Sequence, residues 1–161
     1  MEFPFKPAAW LPSKDVAMLE RVRAIKREAM EYTNENGFSV KVVLNPSMLF
    51  VMDVFKRICD SDRNNTRLTM IFPNQEPESY TSIAEMINKH NVSCRNVHAF
   101  AMDEWADEDG TVAPLTYGAG LGYSFVNHFY LKIREDLRPD PSQWHTFNND
   151  NVNDYSKIIE E

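Results

Sequence analysis

The segment Arg95-Asn96-Val97-His98-Ala99-Phe100-Ala101-Met102-Asp103-Glu104-Trp105-Ala106-Asp107-Glu108-Asp109-Gly110 turns from apolar to acidic at a single step. Its apolar run is too short for a helix and follows a helical pattern, which predicts a buried strand over 96–102. Asp103 and Glu104 then stand where that strand leaves its sheet. Ligands of open α/β sheets bind outside the carboxyl ends of the strands. A carboxylate pair there, with Trp105 beside it, is a candidate for proton chemistry or for capture of a polar substrate.

Working outward, Pro77-Glu78-Ser79 opens a helix with Ile83, Met86 and Ile87 on one face, stopping near His90-Asn91. Residues 67–72 predict a second strand, closed by Pro73, after a polar loop over 60–66. Residues 48–59 carry Leu49, Met52, Phe55 and Cys59 at helical spacing, preceded by a break at Asn45-Pro46-Ser47. Residues 38–44 predict a further strand. Before it, a long helix starts at an N-cap Ser13, repeats through Val16, Leu19, Val22, Ile25 and Ala29, and stops at Asn36-Gly37. Residues 1–12, with Pro4, Pro7 and Pro12, form an extended arm. Downstream come a polar loop over 104–116, an aromatic-rich helix over 118–131, a loop over 136–150 and a last helix over 154–160.

Strands alternating with helices imply parallel pairing. The expected architecture is α/β: a three-layer, Rossmann-like parallel sheet with helices on both faces, forming one domain over 13–161 behind the arm.

At 161 residues, 43% apolar and 25% charged, the chain has the composition of a globular domain. A formal charge of −7 argues against nucleic acid and against an anionic membrane surface as partners. No apolar run reaches the about 18 residues of a membrane span, and Met1-Glu2-Phe3-Pro4-Phe5-Lys6-Pro7 is not a signal peptide, so a cytoplasmic location is expected. Cys59 and Cys94 lack metal or redox spacing and are expected to be reduced.

Only five glycines are present, and Gly37 alone precedes Gly110, so no Walker or dinucleotide loop exists in the front half. Gly118-Ala119-Gly120-Leu121-Gly122 has the wrong spacing for one and reads as a flexible helix start. The acidic run fails as a calcium loop, because Trp105 and Thr116 occupy positions that need acids. His90, His98, His128 and His145 show no zinc spacing. No metal and no cofactor are expected. Ser47, at a strand-to-helix junction, is either an N-cap or a phosphate contact. Asp103 abuts the apolar strand, where partial burial would make it a better base.

Residues 96–105, Asn-Val-His-Ala-Phe-Ala-Met-Asp-Glu-Trp, resemble the strand and acidic turn of glucosamine-6-phosphate deaminases (isomerases). Residues 122–130 and 154–160 resemble the helices that follow in that family, and the likeness runs from about residue 38 to the end of the chain. The related 6-phosphogluconolactonases share part of the pattern. The resemblance implies a phosphorylated amino sugar as substrate, isomerised from aldose to ketose with loss of ammonia. It makes Asp103 the base that carries a proton between C2 and C1, puts Glu104 beside it as an orienting group, and carries over Ser47 as a phosphate contact.

Two features depart from the family. Its Gly- and Thr-rich phosphate loop is replaced by Leu44-Asn45-Pro46-Ser47-Met48, and its Asp-Gly-His motif has no counterpart here. The resemblance therefore implies the N-terminal part of such an enzyme, which would associate as a homo-oligomer to cover its sheet. A non-catalytic sugar-phosphate-binding module and a lactonase-like hydrolase remain open alternatives.

Overall fold

A computed structural model of the chain describes residues 15–73 and 77–160. The expected arm over 1–12 and the Ser13 cap lie outside them. The chain divides into two units, Met1–Leu44 and Asn45–Glu161.

In the first unit the expected long helix is short. Helix α1 spans Val16–Arg23, is capped by the Asp15 side chain on the Met18 amide, and buries no residue. Helices draw most of their stability from packing an apolar face, and α1 has none packed. The backbone then turns into a hairpin of β1 (Tyr32–Thr33) and β2 (Ser39–Val40), paired antiparallel. Asn36-Gly37, read as a helix stop, belongs to the hairpin turn. The Asn34 side chain accepts from the Asn36 and Phe38 amides, and Gly37 takes φ +80°. The strand expected over 38–44 thus shrinks to two residues and does not join the parallel sheet.

The second unit is a mixed α/β fold whose three-stranded parallel sheet is flanked by helices. Helix α2 (Pro46–Asn64) runs five residues beyond the expected end, and the loop over 60–66 is mostly helix. Pairs Lys56–Asp60 (2.5 Å) and Asp53–Arg57 (2.6 Å) support its polar face, and Ser61 closes the end by donating to the Thr66 carbonyl. Strand β3 (Leu68–Phe72) leads to α3 (Pro77–His90), which buries Tyr80, Ile83, Ala84 and Ile87, and then to β4 (Val97–Ala101). The expected aromatic helix breaks into α4 (Leu121–Ser124), a wider π-type turn over Phe125–Phe129 and a tight turn over Tyr130–Lys132. Inside the expected loop over 136–150 lies a third sheet strand, β5 (Trp144–His145), and α5 (Tyr155–Glu160) follows.

The sheet order is β3-β4-β5, so β4 is central, with Ile71 opposite Phe100 and Phe100 opposite His145. Alternation sends Phe72, Val97, Ala99, Ala101 and Trp144 to the face packed by α2, α3 and the π-type turn. Phe72 is the hub of that core, with ring centroids 5.4 Å from both Phe125 and Phe129. The opposite face carries Thr69, Ile71, His98, Phe100 and His145. Tyr155 covers part of it, edge-on to Phe100 and donating to the Ala101 and His145 carbonyls. Ile71 stays half exposed. Cys94 is buried, which pushes its thiol up to about 12. Among the described residues, no helix is long and apolar enough to cross a membrane.

Candidate functional site

Strand β4 ends in mid-sheet, where Met102 still donates to the Phe72 carbonyl at 3.0 Å. Asp103 comes next. It is exposed, not half-buried as expected, because the chain turns outward once the β3 pairing ends. Its carboxylate holds no hydrogen bond or ion pair to any described residue. Beside it lies a cleft lined by Phe72, Pro73, Tyr80, Leu121 and Phe125, with room for one water-sized sphere (about 10 Å³). A substrate would meet Asp103 from the solvent side.

Glu104 points the other way. Its two carboxylate oxygens accept from the amides of Trp105 (2.8 Å), Leu121 (2.9 Å) and Gly122 (2.6 Å). Gly120 stands at the N-cap of α4 without a side chain, so Glu104 caps that helix from 17 positions away. The close approach favours glycine at 122: a Cβ there would lie 2.8 Å from Glu104 Oε2 and 2.8 Å from Leu115 Cδ2, so both side-chain ends would have to shift. The glycines read as a flexible helix start are a docking place for a carboxylate. Sequence reasoning missed this clasp; its trace is an acid after a strand, answered by two glycines two residues apart.

The acidic run is a turn. Ala106 bridges Val112 in a small hairpin, and Asp107 Oδ1 accepts from the Asp109 and Thr111 amides. Asn149 anchors the hairpin by accepting from the Val112 amide at 2.7 Å. Among the described residues, no three His, Cys, Asp or Glu side chains converge as a metal site needs.

Ser47 lies in the first turn of α2 but is not its cap. Asn45 is, accepting from the Met48 amide at 2.9 Å. The half-buried Ser47 hydroxyl bonds to no described residue. The end of α2 is tied to the start of β4 by Asp62, which accepts from Ser93 and Arg95, and by the Asn65–Asn96 contact. The start of α2, with Ser47, therefore points toward the carboxyl end of the sheet. Ser47 and Asp103 share that end, and no hydrogen bond joins them.

No family model and no curated protein matches this chain.

None of the histidines lines the cleft beside Asp103. His90 lies against Phe55 and His128 against Tyr123. His145 stacks on Phe100 at 4.3 Å, on the sheet face that also carries His98. Burial, then the charge of His98, holds His145 below the ordinary imidazole value; burial, then Arg67, does the same for His98.

The sign follows directly. The unfolded chain takes up protons on both rings near about pH 6.5 while the folded one resists until lower pH. Their contribution is complete above that value and is lost as pH falls through it. Carboxylates held low by Lys56 (Asp60), Arg134 (Asp136) and Ser142 (Asp140) act in a separate window, below about pH 4. The melting temperature should therefore begin to fall below about pH 6.5. A double variant, His98→Gln with His145→Gln, should flatten the first part of that fall. An unchanged profile in thermal melts from neutral to mildly acid pH would refute the assignment.

Proposed function

We propose that this protein acts on a phosphorylated amino sugar as a deaminase/isomerase-like domain of Rossmann-like, three-layer type, cytoplasmic and homo-oligomeric, with Asp103 as the proton-transferring base. One observation carries the reading. An exposed carboxylate with no bond to any described residue follows the carboxyl end of the central strand, next to a loop that Glu104 clasps in place. Isomerisation needs one base that takes a proton from C2 and returns it at C1; the planar intermediate lets a single group reach both carbons. Asp103 has the freedom for that, since no described residue bonds to its carboxylate. Glu104 has both oxygens engaged by amides, which makes it a positioning residue rather than a reacting one. Ser47, on a helix start at the same end of the sheet, is the group left to meet the phosphate.

A second reading has an observation in its favour. No histidine lines the cleft beside Asp103, and opening a sugar ring calls for such a group. That supports a module that binds sugar phosphate without turning it over. Both are tested with the purified chain and glucosamine 6-phosphate, measuring ammonia release and solvent deuterium uptake into the product. The isomerase reading expects both signals, and their loss in Asp103→Asn with the melting temperature unchanged. Binding by calorimetry with neither signal would hand the case to the second reading; no binding at all would sink both.

A further inference from the structure

Beyond Asp103 the same loop builds a second concavity, which the reading above does not use. A pocket of about 500 Å³ is lined by Trp105, Asp107, Val112, Pro114 and Tyr117, among others. Its walls are chiefly apolar, and its size falls within the usual range of ligand pockets. Trp105 and Tyr117 are 57% and 51% exposed, and neither ring has an aromatic or cationic neighbour among the described residues. Large apolar rings left in water at a concave site mark interaction surfaces.

Charge decides what fits. No Lys or Arg occurs between Arg95 and Lys132, whereas Asp103, Glu104, Asp107, Glu108 and Asp109 all do. Glu104 is engaged at α4 and one oxygen of Asp107 in the turn. Glu108 and Asp109 have no ion pair, and their side chains accept no hydrogen bond from the described residues. Negative charge is therefore concentrated in the turn between Asp107 and Thr111, both of which line the pocket whose walls include Trp105 and Tyr117, and no Lys or Arg is among the lining residues. Ring faces attract cations, and a guanidinium also stacks flat on them.

We propose that this pocket docks an arginine side chain presented by a basic peptide segment. The guanidinium lies against Trp105 or Tyr117, and its methylene stem lies along Val112 and Pro114. Glu108 and Asp109 draw the flanking positive charge of the peptide. An isolated small cation would leave the apolar wall in water, whereas an arginine covers it with its own stem.

The test is calorimetric titration of the full chain with an acetylated Gly-Arg-Gly-Arg-Gly amide at low salt. Saturable binding is expected, weakened about tenfold by Trp105→Ala. Tyr117→Leu, which keeps the apolar wall, and the pair Glu108→Gln with Asp109→Asn should each weaken it several-fold. Raising salt from about 0.01 M to about 0.15 M should also weaken it. Circular dichroism checks that each variant keeps its fold. The proposal is overturned if the citrulline analogue of the peptide binds equally well, if Trp105→Ala and Tyr117→Leu both bind like the parent, or if no saturation is seen. Tetramethylammonium binding as tightly as the peptide would also overturn it, in favour of a small quaternary ammonium ligand.

Discussion

Phe72→Ala should lower the unfolding free energy by about 3–5 kcal/mol, a large share of the about 5–15 kcal/mol that holds a domain together. Phe72 is 2% exposed, and its ring meets four others: Phe125 and Phe129 at 5.4 Å, Trp144 at 6.2 Å and Tyr80 at 6.4 Å. Truncation removes the transfer energy of the ring and leaves a cavity among rigid aromatic neighbours that cannot close round it. It also severs contacts from β3 to α3, to the π-type turn and to β5, so the loss falls on the unit as a whole. Phe72→Leu keeps most of the volume and should cost much less, about 1–2 kcal/mol. Urea unfolding with an unchanged denaturant slope is the measurement. A loss below about 1.5 kcal/mol for the alanine variant would mean that the neighbouring rings collapse into the gap.

Glu104→Ala is expected to cost about 2–4 kcal/mol, because it strips a charged acceptor from three amides and leaves the part-buried N–H groups of Leu121 and Gly122 without partners. Glu104→Gln keeps one acceptor oxygen and should lose about half as much. The damage should be local. Hydrogen exchange at Leu121 and Gly122 should accelerate strongly while the amides of β4 and α3 keep their protection. Uniform acceleration across the unit would contradict the clasp. Under the isomerase reading the same variant also costs activity with Asp103 untouched, since the loop beside that residue loses its anchor.

Helix α3 was legible because Ile83, Met86 and Ile87 recur at helical spacing; the structure buries Ile83 and Ile87, adds Tyr80 and Ala84 to that face, and leaves Met86 half-buried. Strand β4 was legible for the same kind of reason: it is central and buried, so its apolar run is nearly continuous. The first expected strand failed because alternation over 38–44 cannot tell a sheet strand from one arm of a hairpin. Asn34 and Gly37 decide that locally. Strand β5 was out of reach. Two residues between prolines and a polar loop carry no pattern, and Ala99 and Phe100 assign their place from 45 positions upstream. At the site, the position of Asp103 at a strand end could be read, but its exposure could not, since that depends on where pairing with β3 stops. The Glu104 clasp joins segments 17 and 18 residues apart, and only the fold brings them together.

That clasp ties the histories of two positions. With Glu104 in place, a side chain at 122 meets a carboxylate oxygen and Leu115 at 2.8 Å, so Gly122→Ala arising first is penalised. Once the acid at 104 is shortened or lost, a Cβ at 122 still meets Leu115 Cδ2 at 2.8 Å, and alanine gains its helix propensity there only if that side chain shifts. The two positions are therefore coupled: what a side chain at 122 costs depends on whether the acid at 104 is present, so the effects of changing them should not add.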